Sequence, residues 1–144
     1  VYNLCDQFNV KNVVQKYMGT QLNWGKTDCV TFFFEVQQAL HGLDTKECWY
    51  GKYNDLRSAL RWANTNMPAG DFSSHPVMQK YTSLDVEPCN LQLGDAVLST
   101  RKGLPHAAVY YNRLWWSVWD SVGFGYNVVH NEKYKVWRLK ECHR

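Results

Sequence analysis

The sequence predicts an α+β domain, on three observations. Helical spacing of apolar residues fills the first half. Short runs rich in Val, Tyr and Trp fill the second half. The two kinds of segment do not alternate, which favours helices packed on an antiparallel sheet over a βαβ arrangement. The chain has 144 residues, a length suited to one domain with one core, taken as residues 1–144.

Each element has a local reason. Residues 3 to 18, "NLCDQFNVKNVVQKYM", space Leu4, Phe8, Val13 or Val14, and Tyr17 as a helix does, and Gly19 is a natural stop. "TQLNWGKTD" reads as loop. Residues 29 to 41 form the second predicted helix, with Thr27 or Asp28 as N-cap and Gly42 as its end. Cys29, Phe33, Val36 and Leu40 share a stripe, and Phe32 and Phe34 add apolar surface on other sides, so this helix should lie deep in the core. Residues 43 to 53 read as loop. "NDLRSALRWANTNM" predicts a third helix, amphipathic through Leu56, Leu60 and Trp62 and ended by Pro68 and Gly70. Residues 71 to 90 read as loop with one short turn at Val77 to Tyr81. Strands are predicted over 94–100, 106–111, 114–119 and 135–139, with Asn112-Arg113 as a tight hairpin turn.

Composition narrows the function classes. Sixteen Lys and Arg against thirteen Asp and Glu leave a net charge of +3, with no basic run, which does not support nucleic-acid binding. No apolar stretch approaches the ~18 residues needed to span a membrane. The opening "VYNLCDQFNVKN" lacks the basic start and continuous apolar core of a signal peptide, so none is expected. Five cysteines, Cys5, Cys29, Cys48, Cys89 and Cys142, are widely spaced with no C-x-x-C pair, which argues for thiols rather than a zinc site or a disulfide scaffold. No metal or cofactor is expected. Aromatics make up 15% of the chain and supply area for a compact core.

Cys29 stands apart from the other cysteines because it opens a helix. Exposed amide N–H groups and the helix dipole at that end stabilise a thiolate and can hold an oxyanion. A base is then required. Among five histidines, His106 follows "GLP" and opens a strand directly after the "LGDAVL" strand, a rigid mount for a general base. His41, His75, His130 and His143 sit at a helix end, in loops or in the tail.

These residues carry a resemblance. "WGKTDCVTFF" resembles the Trp-Gly…Asp-Cys segment of the NlpC-type, papain-like cell-wall cysteine peptidases. "LQLGDAVLS" resembles that family's Gly-Asp strand, and "HAAVYYNRLWWS" its histidine strand and following hairpin. The likeness spans roughly residues 19 to 120 and keeps the unpermuted order. "ALHGLDTKECWYGKYND" looks most like small phage-encoded versions found near tail genes. The resemblance implies a papain-like fold and hydrolysis of peptide bonds in peptidoglycan stem peptides. Cys29 would be the nucleophile, His106 the general base, and Ser117 the third residue orienting the imidazole, with Asp120 a nearby alternative. It implies a virion (phage tail) location, or the host cytoplasm during assembly, with other tail proteins as further partners. The alternative reading is a non-catalytic tail or neck protein on the same scaffold. Leu22 stands where the family often has a Tyr that assists the oxyanion site.

Overall fold

The computed structural model describes residues 2–67, 72–101, 103–119 and 122–140. Three helices precede a six-stranded antiparallel sheet: α1 (Leu4–Tyr17), α2 (Cys29–His41), α3 (Leu56–Asn66), then β1 (Tyr81–Val86), β2 (Ala96–Arg101), β3 (Leu104–Tyr111), β4 (Leu114–Trp119), β5 (Gly123–Val128) and β6 (Tyr134–Leu139). The strand order is β1-β6-β2-β3-β4-β5, and every pairing is antiparallel. The α+β order expected from the sequence is therefore present.

α1 starts in a capping box. The Asn3 side chain accepts from the Asp6 amide, and the Asp6 carboxylate accepts from the Asn3 amide, both at 2.9 Å. Its buried face is Val10, Val14 and Tyr17, which corrects part of the expected stripe. At about 100° per residue, Leu4 and Phe8 point away from those three, and they are 87% and 60% exposed.

α2 is the centre of the core. Phe32, Phe33 and Phe34 are all buried, because each meets a different neighbour. Phe32 packs edge-on to Tyr17 and Phe124, Phe33 to Phe72, and Phe34 stacks parallel on Trp49 with ring centroids 5.6 Å apart. At about 1.5–3 kcal/mol per buried Phe, these three side chains weigh heavily in a marginally stable domain. The helix ends at Gly42, in the left-handed region at φ 71°, where a side chain is disfavoured. Its buried Gln37 is fully engaged: it donates to the Gly94 carbonyl at 3.0 Å and accepts from the Tyr81 hydroxyl at 2.8 Å.

α3 also differs from its expected pattern. Ala59 and Ala63 are buried, whereas Leu56 is 51% exposed. Leu56 and Leu60 line a cavity beside Cys29 rather than entering the core. The expected stops Pro68 and Gly70 lie outside the described residues. Two strands went unrecognised in the sequence. β1 lies in a stretch whose sequence reads as loop, although it pairs along its whole length with β6. β5 was missed because its first and third residues, Gly123 and Gly125, dilute the alternation. Both are edge strands, where burial gives the weakest signal. Asn112 and Arg113 form the expected hairpin turn, both at positive φ, 50° and 64°; this is the type I′ geometry that matches strand twist.

The sheet has two faces. Ala96, Ala107, Val109, Trp116 and Val118 join the helical core. Val86, Ala108, Trp115 and Val136 form a second, smaller cluster. Asp95, of the "LGDAVL" motif, is buried and fastens β2 to β6. Arg138 grips it with two bonds, Nε to Oδ1 at 2.8 Å and Nη2 to Oδ2 at 2.7 Å, and the Gln92 amide donates to it at 2.8 Å.

His75 is buried among Phe34, Trp62 and Phe72. Its Nδ1 accepts from the Val77 amide at 3.1 Å, and burial holds its pKa below the usual imidazole value. The unfolded chain therefore takes up a proton that the folded chain resists. Stability from the neutral ring should be complete above pH ~6.5 and fall as pH drops below it. Urea midpoints between pH 7.5 and 5 should decline, and His75→Asn should flatten that decline while lowering the midpoint at pH 7.5. An equal decline in the variant would assign the pH dependence to other groups.

Candidate active site

The site begins in the turn before α2. The Thr27 amide donates to the Asn23 carbonyl at 2.8 Å and the Lys26 amide to the same carbonyl at 3.0 Å. Gly25 sits at φ 82°, and a Cβ there would collide with the Tyr53 carbonyl. The Gly51 amide donates to the Gly25 carbonyl at 3.0 Å. Only glycine permits this close approach of two loops.

Asp28 is the N-cap, one of the two residues the sequence allowed. It is 2% exposed. Its carboxylate accepts from the Gly25 amide and the Thr31 amide, each at 2.8 Å, and from the Tyr53 hydroxyl. The Thr31 hydroxyl closes the box by accepting from the Asp28 amide at 2.9 Å. Burial pushes the Asp28 carboxyl up from its ordinary pKa, and these donors pull it back. Tyr53 is also buried. Desolvation and the charges of Asp28 and Cys29 hold its phenol far above the usual range, so it remains a hydrogen-bond donor.

Cys29 is thus fixed as the first residue of α2. It is half-buried, and its thiol donates to the Pro105 carbonyl at 3.7 Å. Pro105 immediately precedes His106. The interaction carries the N-terminus of α2 to the start of β3.

His106 pairs with Ser99 across β2 and β3. Its ring lies 4.8 Å from the ring of Trp119, and Nε2 is 3.4 Å from Ser117 Oγ. Ser117 is completely buried, and its hydroxyl donates to the Ala107 carbonyl at 2.7 Å. That bond uses the single hydroxyl proton. Toward His106 that oxygen is then left to accept, which favours the tautomer with the proton on Nε2.

One cavity of about 340 Å³ is lined by both Cys29 and His106. Leu22, Trp24, Leu56 and Leu60 make much of its wall apolar. The structure therefore gathers Cys29, His106 and Ser117 at one end of the sheet, although they come from three elements. Strand alternation places His106 and Ser117 on the same face as Ala108 and Trp115, the face turned from α2, and Cys29 and His106 line one cavity at the strand end. Asp120 lies outside the described residues, as do Cys142 and His143. Cys5, Cys48 and Cys89 are exposed thiols. His41 ends α2, and His130 lies between β5 and β6. Among the described residues no group of three His, Cys, Asp or Glu is arranged to hold a metal, and no helix is long and apolar enough to cross a membrane.

Sequence reasoning missed Tyr53 and Trp119. Tyr53 precedes the cap of α3, and the contact between its loop and Gly25 is what gives it a role. Trp119 closes a strand whose alternation was read, so its place on the His106 face was available from parity with Ser117.

No curated protein matches the chain. A family model does match, across residues 6–138, from within α1 to within β6. The chain belongs to that family, described as a domain of unknown function, DUF6950.

Proposed function

We propose that the chain is a papain-like, NlpC-type cysteine peptidase that hydrolyses peptide bonds in peptidoglycan stem peptides and acts as part of a phage tail. The observation that carries the reading is a helix-opening cysteine and a strand histidine, backed by a buried serine, lining one partly apolar cavity.

In this reaction His106 Nδ1 takes the Cys29 proton, and the thiolate attacks the scissile carbonyl. The Cys29 amide N–H supports the oxyanion, at a helix end where the dipole favours negative charge. Collapse of the tetrahedral intermediate expels the amine, which receives the proton from His106. Water, deprotonated by His106, then attacks the thioester and releases the acid and the thiol. The apolar wall from Leu22, Leu56 and Leu60 strengthens each of these electrostatic interactions.

The direct test is release of soluble fragments from purified peptidoglycan. Release should persist in EDTA and stop after thiol alkylation. Loss to EDTA with survival of alkylation would overturn the cysteine mechanism.

Ser117 should act through the imidazole. Ser117→Ala removes an acceptor for Nε2–H and should lower kcat about tenfold, equivalent to ~1.4 kcal/mol, with little change in KM. Ser117→Asn should restore part of the loss, because its amide oxygen can accept the same proton. An unchanged kcat in Ser117→Ala, with a collapse in Asp120→Ala, would transfer the orienting role to Asp120.

A further inference from the structure

The sheet ends in two edges, β1 and β5, and the sequence treats them differently. β1 follows Lys80 and carries Asp85, both exposed, and charges of this kind discourage a passing strand. β5 has no such guard. From Val122 to Val129 there is no Asp, Glu, Lys, Arg or Pro, and Tyr126, Asn127 and Val128 are all exposed.

Backbone accounting fixes how much of this edge is open. In the two-residue hairpin Tyr111 and Leu114 form a hydrogen-bonded pair. Leu114, Trp116 and Val118 therefore turn their backbone groups to β3, and Trp115, Ser117 and Trp119 turn theirs to β5. The β5 partners of those three are Asn127, Gly125 and Gly123. The backbone groups of Phe124, Tyr126 and Val128 are left pointing outward. The Phe124 amide does so and donates to the Thr20 carbonyl at 3.1 Å. Past the other end of the strand the His130 amide donates to the Tyr134 hydroxyl at 2.8 Å. Between these two stops, the outward N–H groups of Tyr126 and Val128 have no partner among the described residues. A further strand would complete them.

We propose that β5 is an interface between two copies of this chain, paired antiparallel about a two-fold axis at Asn127. This register sets Tyr126 of each copy opposite Val128 of the other. It satisfies both open N–H groups on each copy and stops where Thr20 and Tyr134 already take the next donors. The side chains favour a second copy over a foreign strand. Tyr126 and Val128, each 56% exposed, meet in two aromatic–β-branched pairs. Asn127 meets Asn127, and an amide both donates and accepts. No like charges come together, and one patch serves both subunits, as a two-fold interface requires. The two six-stranded sheets then run on as one. The inference does not depend on the hydrolase reading.

Sedimentation equilibrium in reducing buffer tests it; the reductant is needed because Cys5, Cys48 and Cys89 are exposed thiols. Between about 1 and 300 μM the average mass of the wild type should rise from that of one chain toward that of two, a range suited to a small interface. Over the same range, exchange of the Tyr126 and Val128 amide protons should slow about tenfold, while that of Phe124 stays constant. Val128→Pro removes one outward N–H and spares the ladder to β4, so it should keep the circular dichroism of the wild type and remain monomeric. Asn127→Asp and Asn127→Lys each place like charges across the axis and should be monomeric alone. An equimolar mixture of the two should associate again, which no misfolded variant would do. Undiminished association in Val128→Pro, or a mixture that stays monomeric, would overturn the proposal. So would a wild type that is monomeric throughout, which would leave the edge to a strand from another protein.

Discussion

Cys29→Ala is expected to keep the fold and abolish release of soluble fragments from peptidoglycan. Cys29 is half-buried at the edge of a cavity, and its thiol donates to the Pro105 carbonyl across a long contact of 3.7 Å. Removing the sulfur should cost under ~1.5 kcal/mol. The helix start is held by Asp28 and Thr31, not by the thiol. Catalysis has no such reserve, because no other described cysteine lines this cavity. His106→Ala should abolish release equally, and the double variant should lose no more than either single one, since nucleophile and base act as a unit. The measurement is fragment release at matched folded concentration, with circular dichroism confirming the fold. Wild type indistinguishable from both variants would refute hydrolysis of this substrate by the pair and leave the non-catalytic tail or neck protein as the reading.

The same pair shows what a sequence can and cannot disclose. α2 was legible throughout because its information is local: a capping residue, a run of apolar residues and a terminal glycine at φ 71°. The hairpin at Asn112-Arg113 was legible for the same reason. What failed was information carried by other parts of the chain. The apolar face of α1 was misjudged at Leu4 and Phe8, because only the packing of α1 on α2 decides which of two candidate stripes is inside. The amphipathic stripe expected through Leu56 and Leu60 serves a cleft wall, with Ala59 and Ala63 as the buried residues of α3. β5 was lost to its glycines; Gly123 is required because a Cβ would crowd the Thr20 carbonyl and Gln21, against which the strand begins. β1 was lost because its partner, β6, lies far along the chain.

The site divides along the same line. Cys29 and His106 were found from element type and order, since a thiolate wants a helix start and a base wants a rigid strand. Ser117 comes from the resemblance, by matching the Asn112-Arg113 turn to the family's hairpin turn, and the period of two along β4 sets it on the His106 face. The direction of its hydrogen bond could not be counted. It depends on the Ala107 carbonyl accepting the hydroxyl proton, a contact between adjacent strands. Asp95 illustrates the converse. It belongs to a motif that the resemblance singles out, and the structure commits it to Arg138, away from the cavity.

Asp28→Ala is expected to give the largest stability loss of any single change near the site, about 3 kcal/mol. Its carboxylate is the acceptor for two backbone amides, Gly25 and Thr31, and for the Tyr53 hydroxyl. Each buried donor left without an acceptor costs about 1–3 kcal/mol, and loss of an N-cap alone costs about 1 kcal/mol. Partial rescue by water at the turn keeps the total below the sum. Urea unfolding should show a lower midpoint with an unchanged m-value. Asp28→Asn retains an oxygen for the amides and should recover most of the loss. Tyr53→Phe removes one donor and should cost only about 1 kcal/mol, since Asp28 keeps both amides. The chemistry should follow the geometry and not the stability alone. In Asp28→Ala the first turn of α2 loses the cap that fixes it to the Gly25 turn, so the rate of Cys29 alkylation should fall toward that of the exposed Cys48 and Cys89 even under conditions where the variant is fully folded. In Tyr53→Phe, with the cap intact, alkylation should stay within about threefold of wild type, a difference under ~0.7 kcal/mol. A stability loss below about 0.5 kcal/mol in Asp28→Ala would mean that the Gly25 turn is held from the Gly51 side and that the cap is dispensable. The reverse pattern, with Tyr53→Phe slowing alkylation more than Asp28→Ala, would make the phenol and not the cap the group that sets the thiol.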